Sequence, residues 1–165
     1  MTVSNPAQAL LQKAGTLLAR RAHSRGELRR KLAKFADPAD LEKVLDRLEE
    51  LGLLNDAEYA YNFASSRIRE KSWGPARIYQ ALLRRKVPAH VATRTVERIR
   101  GETGERTLLE TYLERYWRTR DRPRNRAELK RLIGHLSRRG YGDELIVDVL
   151  RRAAPAEAWR TFESD

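Results

Sequence analysis

Cysteine is absent from this chain of 165 residues. Its absence excludes a disulfide framework, a thiolate metal site and a cysteine nucleophile. No run of apolar residues approaches the length of a membrane span, so no transmembrane helix is expected. The opening residues, MTVSNPAQALLQKAG, lack a charged segment followed by an apolar one. No secretory signal is expected, and a cytoplasmic protein is the simplest inference. The frames of common enzymes are missing too. There is no GxxxxGK[ST] phosphate loop, no GxSxG elbow and no HExxH pair. His23, His90 and His135 stand at no metal-ligand spacing, and each cluster of carboxylates reads as helix surface or cap. No catalytic residue, metal or cofactor is expected.

Aromatic residues make up only 7% of the chain, with 9 glycines and 6 prolines, most of them between apolar-periodic segments. Alternating strand patterns are almost wanting. Charge, by contrast, is abundant at 35%, with a net charge of +11 and a pI near 10.4. Such a balance suits a nucleic-acid partner or an acidic protein surface. The excess is uneven, because residues 56–100 carry ten basic and four acidic side chains.

Helical periodicity fills the chain. Leu41, Val44, Leu45 and Leu48 have the spacing of one buried face, with Asp37 as N-cap, Pro38 at the first position and Gly52 as the stop. The pentapeptides SRGEL at 24–28 and NRAEL at 125–129 read as helix starts. In each, a Ser24 or Asn125 cap is followed three residues later by Glu27 or Glu128. Nine helices are expected, near residues 6–21, 25–34, 38–51, 56–71, 75–85, 88–100, 103–119, 126–139 and 142–153. They group into three threes. Leu28, Leu32 and Leu41 map onto Ile78, Leu82 and Val91, and onto Leu132, Leu136 and Leu145. The fold class is therefore all-α, three tandem three-helix modules at 1–54, 55–101 and 102–153, with a tail at 154–165. Such triplets bury a continuous core only when neighbours pack together. The two pentapeptides are then the same punctuation in the first and third modules, the third module having a longer middle helix. WGPAR takes that place in the second.

The stretch RRAHSRGELRRKL resembles the first-module signature of the RecX family, regulators of the bacterial recombinase RecA. GLLNDAEYAYNFASSRIREKSWGPARIYQALLRRKV resembles the second, through Asp56, Tyr59, Ala60, Arg67, Gly74, Ile78 and Leu82. LSRRGYGDELIVDVL resembles the third-module ending. The resemblance covers roughly residues 9 to 153. One departure is Lys86-Val87, where the family pattern has a glycine suited to a left-handed helix end. The resemblance implies an elongated, curved arrangement of the modules. It also implies binding to the RecA filament, with lowered filament extension, ATPase and strand exchange.

Candidate contact residues follow from the basic stretches. Arg69, Lys71, Arg77, Arg84, Arg85 and Lys86 surround the core positions Ile78, Leu82 and Tyr79 of the fifth helix, and suit phosphates or carboxylates. A solvated helix face is the plainer reading. Arg118, Arg120, Arg122, Arg124 and Arg126 alternate through WRTRDRPRNR and could line a phosphate track near Tyr116 and Trp117. A polar connection with arginines at a helix end explains them equally. Arg138 and Arg139 complete the set. Arg25, Arg29, Arg30, Lys31 and Lys34 share a short helix. Glu42, Asp46, Glu49 and Glu50 on the next could neutralise part of that charge, and a solvated or ion-paired face is the plainer reading. The expected partners are the RecA filament and, more weakly, single- or double-stranded DNA through phosphates, for a monomeric protein. The alternative is an autonomous helical DNA-binding protein.

Overall fold

A computed structural model describes residues 6–160. Nine α-helices stand where the periodicity places them: α1 (Pro6–Arg20), α2 (Arg25–Leu32), α3 (Pro38–Glu50), α4 (Asp56–Lys71), α5 (Pro75–Arg84), α6 (Ala89–Thr103), α7 (Glu105–Trp117), α8 (Arg126–Arg138) and α9 (Asp143–Ala153). A single 3-10 turn, Ala33–Phe35, follows α2, and a short helix α10 (Ala156–Arg160) closes the described chain. No strand occurs among the described residues, and no helix there is long and apolar enough to cross a membrane.

Local chemistry sets the helix ends. Ser24 and Glu27 form a reciprocal capping box, and Asp37 accepts from the Ala39 and Asp40 amides with Pro38 in the first turn. Asn125 accepts from the Glu128 amide, whereas the Glu128 carboxylate reaches back to the Arg124 amide. α8 has 13 residues against 8 in α2, which is why the opening pentapeptides and the apolar register have different offsets. Two boundaries differ from the sequence expectation. α6 runs on through Gly101 to Thr103, and the break falls at Gly104, whose φ of +78° ends one helix and starts the next. The tail is helical at 156–160 because Ala158 is buried and Trp159 packs on the neighbouring core. Phe162 lies outside the described residues.

The chain divides into two compact units. The first takes residues 1–63 and 81–95, and the second 64–80 and 96–165. The first unit has a core of Leu10, Ala14, Leu28, Leu32, Leu41, Val44, Leu45, Leu48 and Leu54. The second has Leu109, Tyr112, Leu113, Leu129, Leu132, Leu136, Tyr141, Ile146, Val149, Leu150 and Ala158. Of the positions in the shared register, Leu28, Leu32, Leu41, Ile78, Leu82, Leu132 and Leu136 are buried, while Val91 and Leu145 are half-buried. Each leucine removed from water contributes roughly 1.5–3 kcal/mol.

One backbone arrangement occurs in both units. In the first, the Ser24 hydroxyl at the start of α2 donates to the Arg85 carbonyl at the end of α5, and a Cβ on Gly26 would overlap the Lys86 carbonyl and Cβ. In the second, the Gly74 amide at the start of α5 donates to the Arg139 carbonyl at 2.7 Å, and Ala76 donates to Gly140 at 3.1 Å. Both acceptor turns are left-handed, with φ of +61° at Lys86 and +92° at Gly140. Val87 and Tyr141, one residue on, return their amides to Leu82 and Leu136. This is the helix-ending motif that usually takes glycine. The turn geometry therefore persists at Lys86 without glycine.

Lys86→Gly should raise stability by about 1 kcal/mol by removing the left-handed penalty. Gly140→Ala should lower it by roughly 2–3 kcal/mol, because its Cβ would strike the Arg77 backbone. Urea unfolding of the three proteins checks both. Glu42, bonded to Arg29 and Arg25, titrates at about 2 instead of 4.5. Folding thus favours its charged form, and that stabilisation is complete above 4.5 and lost as the pH falls toward 2. Glu42→Gln should make the urea midpoint change less than in the parent protein between about pH 5 and about pH 3.

Candidate functional site

In the first unit, the guanidinium of Arg85 turns inward. It lies 3.8 Å from the buried Glu27 carboxylate, donates to the Tyr59 hydroxyl at 3.0 Å and stacks over Phe63. Glu27 also pairs with Arg21 at 3.2 Å and accepts from the Tyr59 hydroxyl. Burial pushes the Glu27 carboxyl up, but Arg21, the Ser24 amide and Arg85 outweigh it and hold the group below its ordinary value. Arg85 thus closes a buried charge, which separates it from the exposed Arg84 and Lys86 on either side. Arg25 is held by Glu42, Asp46 and Glu49 at 2.6–2.7 Å, so the acidic face of α3 neutralises the basic face of α2.

The second unit holds a denser basic surface. It begins at the end of α4, where Ser72 takes a φ of +50° and the chain turns into α5. Arg139 donates to the Lys71 carbonyl, Arg115 donates to the Ser72 hydroxyl, and Tyr141 donates to the Ser72 carbonyl at 3.3 Å. Arg77 donates to the Arg138 carbonyl at 3.1 Å and stacks over Trp73 at 4.4 Å, where Arg67 also lies. These contacts frame a hollow of about 610 Å³ lined by Lys71, Trp73, Arg77, Tyr112, Arg115, Tyr116, His135, Arg138 and Arg139, with Glu70 and Ser72.

A second hollow, about 650 Å³, lies beside it and shares Tyr116, His135 and Arg138. Its remaining wall is the 118–125 connection and the exposed face of α8: Arg120, Asp121, Arg122, Pro123, Arg124, Glu128, Arg131 and Leu132. The connection is held in place by its own arginines. Arg120 stacks on Tyr116, Arg122 stacks on Trp117 and donates to the Ala153 carbonyl at 2.8 Å, and Arg124 pairs with Asp121 at 3.0 Å. Between the hollows, Tyr112, Tyr116 and His135 pack ring against ring. His135 Nε2 accepts from Arg139 at 3.1 Å, so the proton of the neutral ring is on Nδ1. Burial, reinforced by Arg139, Arg138 and Arg120, lowers the His135 pKa and keeps the ring neutral.

The structure thus brings Lys71, Arg77, Arg138 and Arg139 together in one hollow, and Arg120, Arg122, Arg124 and Arg138 in the other. Arg69 is exposed beside Glu70, Arg118 is exposed, and Arg126 is half-buried at the start of α8; none of these three lines either hollow. Tyr116 was expected beside the connection arginines, whereas Arg115, Arg131 and His135 were not among the residues expected from sequence. Arg131, His135 and Arg138 repeat at helical spacing along α8, a signal that was present. Arg115 gave no such signal, since its partner Ser72 is far away in sequence. The guanidiniums of Arg131 and Arg138 and the ammonium of Lys71 make no hydrogen bond or ion pair shorter than the usual limits among the described residues. No group of His, Asp or Glu among those residues could hold a metal ion.

Comparisons with known proteins place this chain in a family. Residues 11–48 match the profile described as RecX, first three-helix domain, and residues 55–95 that of RecX, second three-helix domain. The chain is similar to a regulatory protein RecX of Leptothrix cholodnii, 36% identical across 93% of this chain and 94% of that one. Against the RecX of Pseudomonas syringae pv. tomato it is 37% identical, over 84% of this chain and 87% of that one. The crystal structure of RecX from Lactobacillus salivarius superposes with a TM-score of 0.73 at 17% identity, covering 91% and 97% of the two chains, and shows the same fold. With tandem three-helix domains, that fold and an identity of 36% sustained over nearly its whole length, the chain belongs to the RecX family of regulatory proteins.

Proposed function

We propose that this protein is a non-enzymatic regulator of homologous recombination and DNA repair. It binds the RecA recombinase and its filament on single-stranded DNA, and it lowers filament extension, ATPase and strand exchange. The observation that carries this reading is the match to RecX regulatory proteins over 93% of the chain. The basic surface of the second unit supports it physically. Arginines at fixed positions present planar donors to carboxylates of a protein groove or to phosphates. The protein works in the cytoplasm as a monomer. Its functional modules are residues 1–54, 55–101 and 102–153.

A second reading draws on the hollow at the end of α4. There Trp73, Tyr112 and Tyr116 stand among five cationic side chains, a combination that suits stacked bases and phosphates of single-stranded DNA. On that reading the protein competes for DNA without needing the recombinase.

Titrating the protein into single-stranded-DNA-dependent RecA ATPase assays, with and without excess DNA, separates the two. Inhibition well below one protein per recombinase that survives excess DNA is the expected outcome. Inhibition relieved by added DNA would shift the assignment to the second reading, and no inhibition by folded protein would overturn both. The double variant Lys71→Glu, Arg138→Glu should inhibit about tenfold less well, a change of about 1.4 kcal/mol in contact energy. Its melting temperature should stay within about 2 °C of the parent, since neither side chain holds the fold. Arg85→Ala should instead lower stability by about 1–3 kcal/mol, because Glu27 stays buried with one partner fewer.

A further inference from the structure

The hollow between the 118–125 connection and α8 is more than a stretch of basic surface. Arg120, Arg122 and Arg124 enter it from the connection, and Arg131 and Arg138 enter it from α8. Five arginines therefore line one concavity of about 650 Å³, a volume within the range of small-molecule sites. Those of the connection are anchored by Tyr116, Trp117, the Ala153 carbonyl and Asp121. Two carboxylates line the same hollow, and both are spoken for. Asp121 is paired with Arg124, and Glu128 accepts from the Arg124 amide and the Asn125 side chain at the start of α8. The wall is also held from behind. Arg122 is tied to the Ala153 carbonyl and Arg120 to the Tyr116 hydroxyl, so the connection is positioned before any ligand arrives. Among the described residues the guanidiniums of Arg131 and Arg138 have no hydrogen-bond or ion-pair partner, and the Glu128 charge acts on Arg131 from a distance.

This arrangement has a charge density that a nucleic-acid backbone does not match. A phosphodiester strand carries one charge per nucleotide and passes along a groove. A di- or triphosphate concentrates several charges on one short chain and offers terminal oxygens to forked donors from opposite sides. The two-sided placement, with connection on one flank and α8 on the other, fits the second ligand. We propose that this hollow binds a compact polyphosphate, of the class found in nucleoside di- and triphosphates. Arg131 and Arg138 are the principal phosphate contacts, and the connection arginines form the opposite wall. The proposal stands apart from the recombinase reading, because it concerns a ligand of the isolated protein.

The test is calorimetric titration of the full-length protein, without recombinase or DNA, using tripolyphosphate, ATP and adenosine in turn. Saturable binding of one tripolyphosphate or one ATP per chain is expected, with none for adenosine. Arg131→Glu and Arg138→Glu should each weaken it at least about tenfold. Lys130→Glu, the same charge reversal one residue outside the hollow on α8, should change it by less than about twofold. Equal weakening by Lys130→Glu would mean diffuse attraction to a basic protein and would overturn the proposal. So would the absence of tripolyphosphate and ATP binding. Circular dichroism spectra of the variants matching the parent would confirm that a loss reflects the site and not unfolding.

Discussion

The fold depends on how the start of one middle helix is seated on the end of another. A helix N-terminus has free amides and a C-terminus has free carbonyls, and both must find partners. Here the Gly74 and Ala76 amides at the start of α5 meet carbonyls after α8, while at α2 the Ser24 hydroxyl is the donor. α2 is seated on the turn after α5 through Ser24 and Arg85, and α5 on the turn after α8 through Gly74 and Arg139. The approach is backbone to backbone, so side chains must stand aside. Gly26 does so in the first unit, and Gly74 and Gly140 do so in the second. The left-handed residue is what turns the carbonyl outward, whether it is glycine or, at some conformational expense, lysine.

That seating also explains why so much of the arginine content is structural. Arg85 neutralises Glu27 directly below the seated start of α2. Arg77 and Arg139 each donate across the junction between the α4–α5 turn and the end of α8. Arginine suits these places because it stays charged, reaches far and bonds several acceptors while its guanidinium stacks on Trp73, Tyr112 or Phe63. The same residues that hold the turn then form the wall of a basic hollow. Surface charge is fixed in position by the fold instead of being spread over mobile side chains, and little side-chain entropy remains to be lost on binding.

Much of this was legible in sequence. Apolar spacing located nine helices, and Ser24, Asp37 and Asn125 marked their starts to within a residue. The acidic face of α3 opposite Arg25 and Arg29 was legible for the same reason, since both helices are short and adjacent. The break at Gly104 was not, because Gly101 and Gly104 are equivalent to composition and only the backbone angle chooses between them. The helical tail escaped notice because five residues carry too little periodicity, and its stability comes from burying Ala158 and packing Trp159.

The sequence by itself determined the all-helical class, the caps, the apolar register and the basic balance, since each depends on residues within a few turns of one another. Only the tertiary structure decided which arginines are committed and which are available. Arg84, Arg85 and Lys86 are consecutive and alike in sequence, yet the middle one alone meets a buried carboxylate. Arg115 joined the site from a position where nothing nearby distinguishes it. The reason is physical: a guanidinium's role is set by the acceptor it reaches, and those acceptors come from distant segments that only folding brings within hydrogen-bond range.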